Sequence, residues 1–164
     1  MIGQRMLDAI NEQINHEQYS AQLYLAMSAH CESLGFPGFA HWMRFQAGEE
    51  TGHAQRLMEI AYDLRGRVEL KAMAAPPKDF GNLIELFEQA LQHEQGITRK
   101  IHALYELART EKEFACELRL QWFVNEQVEE ETTAGRILDQ LKAVGLHGGS
   151  VWYLDSKLGK RAEK

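Results

Sequence analysis

The sequence predicts an all-α fold, a four-helix bundle with one long crossover and a short C-terminal fifth helix. Three observations carry that expectation. Runs rich in Ala, Leu, Glu and Gln fill most of the 164 residues without β-branched clusters. The three prolines, Pro37, Pro76 and Pro77, fall between these runs. Within each run apolar residues recur at spacings of three and four, the period of one helix face.

The first helix is expected over about 6–34, stopping at Gly35 before a Pro37–Gly38 turn, and the second over about 38–65, stopping near Gly66. So short a connection makes the two antiparallel. Asn82 followed by Glu85 reads as a capping box for a third helix over about 82–109, and Thr110 followed by Glu113 repeats the signature for a fourth over about 111–144. Gly148, Gly149 and Ser150 precede a fifth helix over about 150–158, and a charged tail follows. Residues 66–81, with the Pro76–Pro77 pair and no helical cap, form the crossover. Extended, they reach about 53 Å, more than the roughly 42 Å of a 28-residue helix. The connection can therefore run the length of the bundle.

Charge narrows the function. Lys and Arg total 18 against 24 Asp and Glu, a net −6, so there is no basic footprint for nucleic acid and a cation is the expected partner. No apolar stretch approaches the roughly 20 residues that span a bilayer, and residues 1–5 lead into no signal-peptide core. The expectation is a cytoplasmic protein with no membrane partner. Cys31 and Cys116 are isolated, which excludes a disulfide framework and a thiolate metal site and leaves them as small buried hydrophobes.

The inward stripes carry the chemistry. The first helix reads Leu7, Ile10, Ile14, Glu17, Ala21, Tyr24, Ser28, Cys31; the second Phe39, Met43, Gln46, Glu50, His53, Leu57, Ile60, Leu64. The third reads Leu83, Phe87, Ala90, Glu94, Ile97, Ile101, Leu104, Ala108; the fourth Cys116, Leu120, Phe123, Gln127, Glu130, Ala134, Ile137, Leu141. Antiparallel helices of similar length meet at their midpoints, so Glu17, Glu50, His53, Glu94 and Glu130 should converge inside the bundle. Burying even one unpaired charge costs several kcal/mol. Two divalent cations would balance four carboxylates and leave His53 a neutral ligand. Glu and His without Cys suit iron or manganese, with zinc as a competitor.

Di-iron bundles use one Glu from each of two helices and Glu-x-x-His from each of the other two. Glu17 and Glu94 fit the single positions, and Glu50 with His53 is one full Glu-x-x-His. The fourth helix departs from the pattern: Gln127 stands for Glu and Glu130 for His. Two unequal metal positions follow, Glu17–Glu50–His53 and Glu50–Glu94–Glu130, bridged by Glu50, with Gln127 offering a hydrogen bond rather than strong ligation.

The segments NEQINHEQYSAQLY (11–24), EETGHAQRL (49–57), HEQGIT (93–98) and QWFVNEQVEEE (121–131) together resemble the bacterial non-haem ferritins, over essentially the whole chain. The resemblance implies the ferritin-like bundle and a ferroxidase centre built from Glu17, Glu50, His53, Glu94 and Glu130, with Tyr24 as its nearby tyrosine. It also implies a third, cavity-side iron position at Glu49, Glu126 and Glu129 together with Glu130. The implied function is iron storage: Fe²⁺ is oxidised with O₂ or peroxide, and ferric mineral is held in a shell of 24 identical subunits. Bacterioferritins carry a haem-binding Met straight after the second-helix ligand Glu; Thr51 stands here, so no haem is expected.

Other readings of the same residues are open at this level. A di-iron peroxidase or oxygenase would use the same centre with an apolar pocket beside it, and a non-catalytic metal-buffering bundle would use the ligands alone. Glu126 to Glu131 also reads as a solvated charge run, and Tyr24 equally as a hydrogen-bonded core residue or as a residue with a redox role. Trp122 reads as core or interface packing rather than an electron relay. His16, His30, His41, His93, His102 and His147 mostly fall off the stripes, which suits surface or subunit-contact roles. Glu111, Glu113 and Glu117 read as an acidic first turn or an iron access route. Leu25, Trp42, Trp122, Val151 and Trp152 lie outside the core stripes, so an isolated subunit is expected to expose several of them and an assembly to cover them.

Overall fold

The computed structural model describes residues 1–160; the last four residues of the charged tail lie outside them. Five helices follow in order: α1 (Gln4–Ser33), α2 (Pro37–Asp63), α3 (Leu83–Thr110), α4 (Phe114–Val144) and α5 (Gly149–Leu158). The first and second hairpins, α1/α2 and α3/α4, lie on either side of the crossover, as the sequence pattern requires.

Helix ends follow local chemistry. Leaving α1, Gly35 has φ +81°, the Phe36 amide donates to the Cys31 carbonyl and the Gly35 amide to that of Glu32, a Schellman turn. The Asn82 box is present: its side chain accepts from the Ile84 and Glu85 amides at 2.9 and 3.1 Å, and the Glu85 carboxylate accepts from the Asn82 amide at 2.8 Å. The box expected at Thr110 is absent. Thr110 is the last residue of α3, and Lys112 (φ +57°) closes a second Schellman turn in which the Glu113 amide donates to Ala108 at 2.8 Å. The Glu113 carboxylate instead accepts from the Gly3 amide at 2.7 Å. α4 therefore starts at Phe114, three residues later than expected.

The core is two apolar clusters with a polar layer between them. One joins Leu23–Cys31 of α1, Phe39–Ala47 of α2, Leu83–Ala90 of α3, Ile137–Leu141 of α4 and, from α5, Val151 and Leu154. The other joins Met6–Ile14, Leu57–Ala61, Ile97–Ala108 and Cys116–Phe123. Each of α1 to α4 passes from one to the other through buried polar residues, Glu17 and Ser20 in α1, Glu50 and His53 in α2, Glu94 in α3, Gln127 and Glu130 in α4.

Trp42 and Val151 differ from expectation. Both are buried in the first cluster: Trp42 packs between Tyr24 of α1 and Phe87 of α3, with ring centroids 6.4 and 5.4 Å away, and Val151 is buried because α5 folds back onto the start of α2. The Asp155 carboxylate accepts from the Phe39 amide at 2.9 Å, satisfying an orphan donor at the α2 N-terminus. Gly38 permits the contact: a Cβ there would lie 1.8 Å from the Asp155 carbonyl oxygen. The crossover is pinned along α1 by Asn11, whose amide donates to the Arg67 carbonyl at 3.1 Å and whose oxygen accepts from the Glu69 amide at 3.0 Å.

Candidate metal centre

The five expected ligands meet in the polar layer, all nearly inaccessible to solvent, from 0% exposure at Glu94 to 5% at His53 and Glu130. Ligand atoms of Glu17, Glu50 and His53 lie within 4.8 Å of one another, the first metal position expected from the sequence. The His53 Nδ1 is 3.2 Å from a Glu50 carboxylate oxygen, the product of an i, i+3 pair on one helix face. Gln13, one turn before Glu17, donates to its Oε1 at 2.7 Å. The other oxygen, Glu17 Oε2, is buried with no hydrogen-bond partner among the described residues. An orphaned carboxylate oxygen costs free energy unless something else satisfies it, and a cation held with Glu50 and His53 would do so.

The second grouping differs from expectation. His53 is shared again, now with Glu126 and Glu130, their ligand atoms within 4.8 Å. Glu126 reaches this position from the neighbouring face of α4. Glu94 stands slightly apart: its Oε1 accepts from the Tyr24 hydroxyl and its Oε2 from the Gln127 amide at 3.3 Å. Gln127 thus acts as the expected hydrogen-bond donor, and it also donates to the Thr98 hydroxyl at 3.2 Å. Gln46 donates to Glu130 at 2.7 Å. Glu49 is half-buried beside the centre and Glu129 is exposed.

Desolvation dominates the electrostatics. Burial holds the Glu17 and Glu50 carboxyls well above the usual carboxylate range, and the negative neighbours add to it, Glu50 acting on Glu17 and both Glu94 and Glu130 on Glu50. Burial also raises Glu94, against the hydrogen bonds from Tyr24 and Gln127, and pushes Glu130 up to about 7. Burial thus favours the neutral carboxyls, and divalent cations would supply the same neutralising charge that protons do.

A cleft of about 480 Å³ opens from this layer to the surface between α2 and α4, with His53 at its floor and Glu49, Glu126, Glu59 and Arg56 on its walls. Trp122 lines it too, edge-on to His53 with centroids 5.4 Å apart and 4.0 Å beneath the Arg56 guanidinium. The packing role expected of Trp122 is thus observed. Gly48 and Gly52 have no atom within 4 Å of an added Cβ, so no packing within the subunit requires them.

Residues 7–144 match the family described as ferritin-like domain. The chain belongs to the ferritin family. A bacterial non-heme ferritin of Bacteroides fragilis (strain 638R) is 40% identical over 161 residues, 98% of this chain and all of that one. Its counterpart in Staphylococcus aureus (strain USA300) is 35% identical over 98% of this chain and 97% of its own. Among solved structures, the open-pore ferritin of Archaeoglobus fulgidus superposes with a TM-score of 0.97 at 41% identity, covering 99% of this chain and 100% of that one.

Within this ferritin fold, sequence reasoning missed the glutamines that hydrogen-bond the buried carboxylates. Gln13 and Gln46 each stand four residues before the Glu of their own helix, so helical spacing was the available signal; Gln46 was on the stripe without a role. The acidic residues at the α3–α4 end are engaged within the chain. Glu111 pairs with Arg5 at 2.8 Å, Glu113 holds Gly3, and Glu117 lies 3.6 Å from Arg109. Among the described residues no helix is long and apolar enough to cross a membrane.

Proposed function

We propose that the chain is an iron storage protein with ferroxidase activity, and that the buried carboxylate layer is the place where two Fe²⁺ ions bind and are oxidised. The observation that carries the reading is the convergence of Glu17, Glu50, His53, Glu94 and Glu130, one to two from each of four helices, on one desolvated spot. Glu17, Glu50 and His53 hold one ion. Glu94 and Glu130 hold the other, Glu50 bridges the two, and Gln127 and Tyr24 fix Glu94. Each Fe²⁺ gives up one electron, to O₂ or peroxide, and the carboxylates hold the increased positive charge.

Glu126 has a second part in this reading. Together with Glu49, Glu129 and Glu130 it forms a cavity-side position, and its approach to His53 and Glu130 suits a carboxylate that passes ferric iron from the centre into the cleft. The chain acts as one ferritin-like domain in a cytoplasmic shell of 24 subunits. An organic substrate fits less well, because the cleft over His53 is walled by three carboxylates and a guanidinium. Adding Fe²⁺ in air, well above two ions per chain, should give a soluble ferric core inside a particle of the mass of a closed shell. Precipitation of the iron, or a soluble iron-free monomer as the stable species, would overturn the proposal.

A further inference from the structure

On the other side of the bundle, where α1 and α3 meet the end of the crossover, lies a groove of about 380 Å³. Its floor is apolar, made of the buried Leu23, Met27 and Phe80, and its rim carries Arg99 and Lys100. Among the described residues no carboxylate lines it, in a chain of net charge −6. An apolar floor with a few cationic groups at one edge, in a volume typical of small-molecule sites, matches a flat organic ring bearing an anionic group.

Gly96, inside α3, also lines this groove. A glycine in a helix interior destabilises it by about 0.5–1 kcal/mol relative to Ala. Nothing in the packing requires this one, since an added Cβ would meet only the Arg99 guanidinium, at 3.8 Å. What the missing side chain keeps open is the groove.

The inner wall leads to the metal layer. Tyr19 and His93 face the groove, with ring centroids 6.3 Å apart. The His93 ring is fixed by the buried Ser20, whose hydroxyl lies 2.7 Å from its Nε2. Tyr24 stands edge-on to His93 at 6.3 Å, and its hydroxyl bonds the Glu94 carboxylate. Aromatic rings therefore stand in series from the outer groove to a proposed iron ligand.

We propose that this groove binds a small, planar, anionic two-electron donor of the hydroquinone class, and that Tyr19, His93 and Tyr24 conduct its electrons to ferric iron at the centre. The inference rests on the dinuclear reading above. The bound donor gives one electron to each of two Fe³⁺, leaving two Fe²⁺; its two hydroxyl protons pass to solvent, and it departs as the quinone.

The test uses the assembled, iron-loaded protein and anthraquinone-2-sulfonate as the probe. Binding of the oxidised probe is measured by equilibrium dialysis, and release of Fe²⁺ by the reduced probe is followed without oxygen as a coloured ferrous chelate. Saturable binding is expected, weakened at least about tenfold by Gly96→Leu, which fills the groove, and by Arg99→Glu with Lys100→Glu, which repels the sulfonate. Release should fall in parallel, while both variants oxidise Fe²⁺ in air at the parental rate. Tyr24→Leu should retain binding and lose most of the release. Equal binding by the parent and Gly96→Leu would overturn the site, and release that persists when binding is lost, or in Tyr24→Leu, would overturn the electron route. If the parent failed to oxidise Fe²⁺, the metal-centre reading would fall instead, and the dialysis would still decide the groove.

Discussion

Glu126 shows what helical phase can and cannot place. One residue before Gln127, it lies about 100° round the helix, which put it on a neighbouring face with Glu49 and Glu129; its side chain is long enough to bring the carboxylate back to His53 and Glu130. The buried carboxylates on the stripes themselves were legible because a Glu inside an apolar 3,4 pattern has nowhere to go but inward. Replacing Glu94 or Glu130 by Ala leaves Glu17, Glu50 and His53 in place, so the initial rate of Fe²⁺ oxidation should fall at least about tenfold while the shell assembles; parental rates in both variants would sink the ligand assignment. The same carboxyls set a pH dependence. With burial lifting Glu130 from 4.5 to about 7, and Glu17, Glu50 and Glu94 also raised, the folded state binds more protons than the unfolded state above pH 4.5, so stability falls as pH rises. The metal-free protein should melt at progressively lower temperature from about pH 4.5 to 7, and Glu130→Gln should flatten that decline. A melting temperature that rose across this window would show that these groups ionise freely.

Element ends were readable where the signal is local and unreadable where a distant group decides. Asn82 and Glu85 satisfy each other's amides within four residues, so the start of α3 needs no tertiary information. The Thr110–Glu113 pair has the same spelling, yet Lys112 at positive φ continues the α3 C-cap through Glu113, and Gly3, more than a hundred residues away, takes the carboxylate. The return of α5 was hidden for a similar reason: the contact between Asp155 and the start of α2 depends on the absence of a side chain at Gly38. Gly38→Ala places a Cβ 1.8 Å from the Asp155 carbonyl oxygen and should release α5 from the bundle. Hydrogen exchange should then show α5 amides losing protection while α1 to α4 keep theirs; unchanged protection of α5 would mean that the contact does not hold it.

At the scale of the molecule, the polar layer splits one hydrophobic core into two, and this cost to stability is what creates the site. Burying carboxylates in a bundle of this size is unfavourable unless cations or protons neutralise them, so metal bound as proposed would stabilise the fold. The outer surface has large apolar residues that one subunit leaves uncovered, among them Leu25, Phe114, Leu118, Trp152 and Tyr153, in keeping with burial between subunits of a shell. Trp42 and Val151 could not be told from these by pattern alone, because each is covered within the same chain, Trp42 by the rings of Tyr24 and Phe87 and Val151 by the return of α5 onto α2. The account turns on two irons being oxidised together in the layer between the two cores. Stopped-flow absorbance of Fe²⁺ oxidation in air, at increasing iron per subunit, tests that most directly. The fast phase should grow in amplitude until about two Fe²⁺ per subunit and then stay constant as slower uptake follows; a fast phase that saturates at one, or no fast phase at all, would contradict it.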